Sequence, residues 1–405
     1  MPLVPRWCTF RFEGDAARGG ATRLVMVGAL SGKYAVVGVG NTAFGDCHSQ
    51  DAYDLGFEAL REAVADSGLS YDKLDGLVTN RIPDYARFAE LLGINPRFVA
   101  QLPAQGRMSG ASLMLALAAL DAGLCTYVAL VYGNNGKQAG ATYGGDTQGG
   151  YGSGEATWMR PYGMTSPGAF HAAMFQRHMW QYGTTSAELA AVAVAFRRHA
   201  SLSPSAVMRK PITVDDHQAS RFIAEPLHLL DYCLINDGGV AMIITAASRA
   251  RDLRQTPVAI LGVGQASQLD GSSMPPEDYW YAACSRAAAD VYRMSGLTQA
   301  EIDVLQIYDN FSPTVLFSLE GFGFCPRGES GRWIQGGRIE LGGEFPTNTS
   351  GGHLSESYMQ GWALNVEAVR QLRGACGPRQ VLNAKHAQYI CATPVVTSII
   401  YGSAA

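Results

Sequence analysis

A mixed α/β fold assembled from two similar halves is what this 405-residue sequence predicts, on three observations. Apolar, β-rich runs bounded by glycine alternate with stretches of helical period. The later part of the chain repeats the order of elements in the earlier part. Apolar residues make up 47% and charged residues only 16%, which requires a large buried core or a surface covered by a partner.

The elements follow in order. "YAVVGVG" (34–40) reads as a buried strand, and "DAYDLGFEALREAVADSG" (51–68) has apolar residues three and four apart before a glycine stop. "LDGLVTN" is a second strand, "GASLMLALAALDAG" (110–123) a helix apolar all round, and "TYVALVYG" and "GGVAMIITA" further strands. The pattern then starts again. "PVAILGVGQAS" (257–267) echoes the first strand, and "YAACSRAAADVYRMSGLTQAEIDVLQIYDN" (281–310) echoes residues 53–80. Ser67, Gly68, Leu69 and Asp75 recur in step as Ser295, Gly296, Leu297 and Asp303. The expected organisation is an extension over 1–33, one half over 34–256 and a second over 257–405. Within the first half a region rich in Gly, Tyr, Met and Trp, about 134–227, reads as long loop. Its aromatics suit an apolar substrate pocket, and equally a packed loop or subunit interface.

Composition narrows the function classes. A net charge of −4 without a basic run argues against a nucleic-acid binder. No stretch reaches the roughly 18 apolar residues of a membrane span, and the N-terminus lacks the apolar core of a signal peptide, so a cytoplasmic protein is expected. Eight cysteines without C-x-x-C spacing read as free thiols in a reducing compartment. No metal is expected, and His171, His178 and His199, in a helical region over 165–200, form no ligand constellation and read as surface or packing. "GVGNTAFG" lacks the spacing of a dinucleotide loop and is read as a turn out of the first strand.

Together with the repeated halves, "LINDGGVAMIIT" and "FCPRGESGRWIQGGRIELGGEFPTNTSGGHLS" resemble the thiolase superfamily, in its sterol-carrier-protein-type, lipid-transfer-protein branch. The motif is carried by Cys325, Gly328, Glu329, Pro346, Asn348, Ser350, Gly351 and Gly352, and the resemblance spans about 34–405. It implies a duplicated thiolase fold of five layers, α-β-α-β-α. The departures are informative. Arg107 stands where a thiolase has its nucleophilic cysteine, whose thiolate forms the acyl-enzyme. The branch keeps a histidine after Ser-Gly-Gly, in register with Tyr358, and a His-Asp-x-Phe that here reads Tyr308, Asp309, Asn310, Phe311. The C-terminal cysteine motif is lost: His386 lies near its place, and Cys391 reads as several residues too late.

A lost nucleophile with two gained tyrosines resembles the thiolase-like aldolases that shorten steroid side chains. The resemblance implies retro-aldol cleavage of a bulky β-hydroxyacyl-CoA to a ketone and a short acyl-CoA such as propionyl-CoA or acetyl-CoA. It also implies a homodimer joined by a small zinc-ribbon and OB-fold accessory subunit in a heterotetramer, with coenzyme A on the substrate and no cofactor on this chain. The reaction needs a base at the hydroxyl, an acid at the α-carbon and donors to the thioester oxygen. Tyr308 and Tyr358 are the expected acid/base pair, with Tyr358 preferred as base. Gly351 and Gly352 are expected to admit the thioester and donate amides. His353, Ser355 and His386, with Asp309 and Asn310, are supporting candidates. A thiolase-type acyltransferase lacking the usual cysteine, and a non-catalytic lipid or acyl-CoA carrier, are the alternatives.

Overall fold

A computed structural model describes residues 30–403 except 48, 104, 105, 107, 141–160, 162, 165 and 271–273. Nine strands form one sheet in the order β3-β2-β4-β7-β1-β8-β11-β10-β9, and a two-stranded hairpin stands apart. The strands are β1 Tyr34–Asn41, β2 Gly76–Asn80, β3 Phe98–Leu102, β4 Tyr127–Asn134, β7 Gly238–Ala246, β8 Val258–Ser267, β9 Val304–Ile307, β10 His386–Cys391 and β11 Val395–Ser403, with β5 Phe222–Ala224 and β6 Leu227–His228 in the hairpin. β1 pairs antiparallel with β7 along its length, but meets β8 only at Ala35↔Ala259 and Val36↔Val258. The sheet thus has two parts with a narrow seam.

Helix α1 (Ala52–Ser67) begins on Asp51, which accepts from the Tyr53 and Asp54 amides while Asp54 returns the bond, and it ends at Gly68 with φ 75°. α1 lies against β1, β4 and β7, and α6 (Tyr281–Ser295) covers β8 and β11 in the same way. The glycines of the shared "GVG" explain both contacts. A Cβ on Gly38 or Gly40 would overlap the Ala63 or Ala59 carbonyl of α1, and one on Gly262 or Gly264 the Val291 or Ala287 carbonyl of α6. These glycines sit within the strands and let a helix backbone approach.

α2 (Tyr85–Leu92) is peripheral. α3 (Met108–Asp121) contacts β2, β4, β7 and β11, and α9 (Trp362–Leu372) contacts β1, β7, β9, β10 and β11. These two helices form a middle layer between the parts of the sheet. Its core mixes Leu113 and Leu117 with Leu364, Tyr389 and Ile399. The expected five-layer α/β architecture is the one observed.

The region 134–227 departs from the expected long loop. It holds α4 (Pro167–Tyr182) and α5 (Ser186–Ser201), a short helix Val214–Ala219 and the β5–β6 hairpin. Phe175 of α4 and Phe196 of α5 pack on Phe317 of α7 (Ser312–Gly321) in a second core. The two longer helices fall in the 165–200 stretch expected to be helical, and buried polar side chains, including His178 on Glu320 at 3.1 Å, interrupt their apolar period. Tyr143, Tyr151, Trp158 and Tyr162 lie outside the described residues.

Candidate active site

Tyr308 follows β9, and its N–H donates to the Ile390 carbonyl at 2.8 Å, so it continues the pairing with β10. On the other side of β9 runs Pro346–Asn348. The Leu305 N–H donates to the Pro346 carbonyl and the Asn348 N–H to the Leu305 carbonyl, both at 2.9 Å. The Asn348 side chain then accepts from Ile307 N at 2.7 Å and donates to Ile307 O at 2.8 Å. "NTSGG" is thereby laid along the strand that ends in Tyr308.

The chain next turns through Gly351 (φ 111°) and Gly352 (φ 62°), values that favour glycine, into the single turn α8 (Gly352–Ser355). Asp309 accepts from the first amides of that turn, His353 N at 2.9 Å and Leu354 N at 3.2 Å. A Cβ on Gly352 would overlap the Asp309 carboxyl, and one on Gly351 would press on Ala200. The Gly351 N–H is already donated to the Asn348 carbonyl at 2.8 Å, which corrects the expectation that it faces the thioester.

This route brings Tyr358 to Tyr308. Their hydroxyl oxygens are 2.8 Å apart, with Tyr308 buried (2% exposed) and Tyr358 half-buried. His353 is packed edge-on against both rings, at centroid distances of 4.7 and 5.2 Å. Its Nε2 accepts from the Gly361 N–H at 3.0 Å, so the ring proton is on Nδ1. Nδ1 stands 3.2 Å from Asp309 Oδ1 without making a hydrogen bond. Burial lowers the His353 pKa to about 3, so the ring is neutral. Burial, then the neighbouring Tyr358 and Cys391, raise Tyr308 well above the usual tyrosine value. Asp309 is also raised by burial, which outweighs the amides it accepts from.

The supporting candidates separate. Ser355 accepts from Arg197 Nε at 2.9 Å and belongs to the packing of α5, not to the tyrosines. His386 begins β10, whereas the pair stands beyond its far end, and Nδ1 of His386 is bonded to the Glu301 carbonyl. That histidine is excluded from the site because the strand between it and Tyr308 is extended. Asn310 accepts from the Thr314 hydroxyl at 2.9 Å and its carbonyl holds the Cys233 amide, so it braces the start of α7.

Three residues escaped the sequence reading. Cys391 ends β10 directly after Ile390, the partner of Tyr308, so it stands beside the pair and is not displaced from it. Asn236, which lies within "LINDGG", accepts the Tyr358 N–H on Oδ1 at 2.8 Å, while its carbonyl accepts from Asn134 Nδ2 at 2.8 Å. Gly106, just before α3, lies so close that a Cβ there would overlap the Tyr308 hydroxyl. Arg107 itself is outside the described residues. Among the described residues no group of His, Cys, Asp or Glu is placed to hold a metal, and no helix is long and apolar enough to cross a membrane.

Residues 264–394 match the family model described as "Thiolase C-terminal domain-like". The chain is 36% identical over 382 residues to a 17-hydroxy-3-oxo-4-pregnene-20-carboxyl-CoA lyase of Mycobacterium tuberculosis, covering 91% of this chain and 98% of that one. It is likewise 36% identical over 358 residues to a steroid side-chain-cleaving aldolase of Thermomonospora curvata, covering 85% and 91%. Among solved structures, an Ltp2-ChsH2(DUF35) aldolase superposes with a TM-score of 0.84 at 34% identity, over 92% of this chain and 98% of the other.

Proposed function

From the premise that this chain belongs to the thiolase superfamily, with the thiolase-like aldolases that cleave steroid side chains, we propose that Tyr308 and Tyr358 catalyse the carbon–carbon cleavage. The single observation that carries this is the 2.8 Å contact between their hydroxyls at the ends of β9 and the glycine loop. The substrate is a bulky, steroid side-chain β-hydroxyacyl-CoA, and the products are a ketone and a short acyl-CoA such as propionyl-CoA or acetyl-CoA. Half-buried Tyr358 takes the hydroxyl proton, and Tyr308, held protonated by burial, gives a proton to the α-carbon. His353 and Asp309 position the two phenols and do not titrate in the reaction. Gly351 and Gly352 serve the turn that delivers Tyr358.

The chain acts as a homodimer with an accessory subunit, a small zinc-ribbon and OB-fold protein that holds any zinc. The superposed Ltp2-ChsH2(DUF35) aldolase pairs two components, which supports an accessory chain. Dimerisation is supported by β3, which ends the sheet with half-exposed Phe98, Val99, Ala100 and Leu102 along a free edge among the described residues.

The test is incubation with steroid β-hydroxyacyl-CoAs and the accessory protein, with ketone and short acyl-CoA followed by mass spectrometry. Cleavage of the β-hydroxyacyl-CoA without added CoA supports an aldolase, whereas cleavage only of a β-ketoacyl-CoA, with CoA as acceptor, establishes a thiolase-type acyltransferase instead. Binding without product leaves only the carrier.

A further inference from the structure

The spacing of the tyrosine hydroxyls has a meaning beyond proximity. In a β-hydroxyacyl thioester, the hydroxyl oxygen and the α-carbon are both bonded to the β-carbon. Across a tetrahedral carbon with bonds near 1.5 Å, those two atoms are about 2.5 Å apart. The atom that loses a proton and the atom that gains one thus stand almost as far apart as the two phenol oxygens, 2.8 Å. Substrate and pair can close one ring of hydrogen bonds.

We propose that Tyr358 and Tyr308 form a closed proton relay in which the hydroxyl proton is replaced, through both phenols, at the α-carbon. The proposal rests on the aldolase reading above and goes one step further: it removes solvent and any outside acid or base from the reaction. As the Cα–Cβ bond breaks, the hydroxyl proton passes to Tyr358 Oη. The proton of Tyr358 passes to Tyr308 Oη, and that of Tyr308 to Cα. The electron pair of the broken C–C bond becomes the new C–H bond, and the O–H pair becomes the second bond of the ketone. Each tyrosine ends as it began, neutral and carrying one proton.

Three features of the site support this. The phenol oxygens are in direct contact, so no water is needed between them. Tyr308 is buried and backed by Gly106, where no side chain can stand between the hydroxyl and the start of α3. Burial raises Tyr308 well above the usual tyrosine value, so a mechanism that leaves this phenol uncharged suits the interior better than one that parks a phenolate there.

The experiment uses the full chain with its accessory subunit, in single turnover of the β-hydroxyacyl-CoA in mixtures of light and heavy water. The relay moves several solvent-exchangeable protons in one step, so the rate constant is expected to fall below the straight line joining the pure solvents. A straight line, or no isotope effect on the chemical step, overturns it. The short acyl-CoA product is then held alone with the enzyme in heavy water. With no ketone to receive a proton, the reverse relay cannot run, and loss of the α-hydrogen is expected to be at least about a hundredfold slower than cleavage. Exchange at a rate near that of cleavage overturns the relay, because one tyrosine is then acting as a free base. Failure of the tyrosine assignment looks different: Tyr308→Phe and Tyr358→Phe would both cleave normally.

Discussion

A phenol titrates near 10 in water and is a weak base at neutral pH, so the residue-scale question is what contact makes it useful. Here it is a second phenol, and the consequence is steep. Tyr358→Phe and Tyr308→Phe are each expected to lower kcat by at least about a hundredfold with little change in KM, measured by ketone release. Asn236→Ala leaves both phenols present but unpins the Tyr358 backbone. It is expected to lower kcat by about tenfold and to cost about 2 kcal/mol of stability, since it removes two hydrogen bonds, from the Tyr358 amide and to the Asp237 carbonyl, of about 1 kcal/mol each. Loss of folding with proportionate loss of activity would make Asn236 a purely structural residue. The tyrosines were legible in the sequence because the Gly351–Gly352 pair fixes a register from which Tyr358 can be counted. Asn236 was not, because its bond to Tyr358 spans 122 positions and belongs to no local pattern. Cys391 was miscounted for a related reason: its place is set by the pairing of β10 with β9, which motif spacing does not encode.

At the scale of elements, the glycine loop is held from beneath by buried charge. Thr349 donates to Glu367 at 2.8 Å, Glu367 accepts from Arg379 Nη2 at 3.1 Å, and Gln371 donates to the Arg379 carbonyl at 2.8 Å. Both charged groups are almost fully buried, on α9 and just after it. Arg379→Ala leaves the Glu367 carboxylate alone in the interior and is expected to cost about 3–5 kcal/mol in chemical denaturation. A loss below about 1 kcal/mol would show that Glu367 finds water or takes up a proton instead. Regular strands and amphipathic helices such as α1 and α6 were readable from period and stop signals. The 165–200 stretch reads as helical, but its inward face does not, since His171, His178 and His199 turn inward where a helical pattern calls for apolar residues. Partners from distant segments satisfy two of them: Glu320 meets His178, and the Asn348 carbonyl and Leu341 amide meet His199.

At the scale of the whole molecule, the buried ionisable groups set the response to pH. Burial lowers His353 to about 3 and His171 to about 4, so the stability that depends on their neutrality is complete above about 6.5 and is lost as pH falls toward those values. Glu356 works in the opposite sense. Burial and nearby Glu367 raise it to about 7, so its contribution is complete below the ordinary carboxyl range and is lost as pH rises through 7. Glu356→Gln therefore removes a component that opposes the histidine rise, and the gain in stability from about pH 5 to 7 is expected to exceed that of the unsubstituted chain by up to about 3 kcal/mol, read from denaturant midpoints. An unchanged slope would place the Glu356 pKa in the ordinary range. The narrow β1–β8 seam bears on a different matter, the order of assembly. Tyr308 and Tyr358 come from the later part of the chain, while Asn236 and Asn134, which pin Tyr358, come from the earlier part. A nascent or clipped chain that has formed only one part thus holds no aligned pair of phenols. Activity becomes a report of completed docking, and two separately expressed fragments that regain turnover on mixing would make this architecture a natural two-piece sensor.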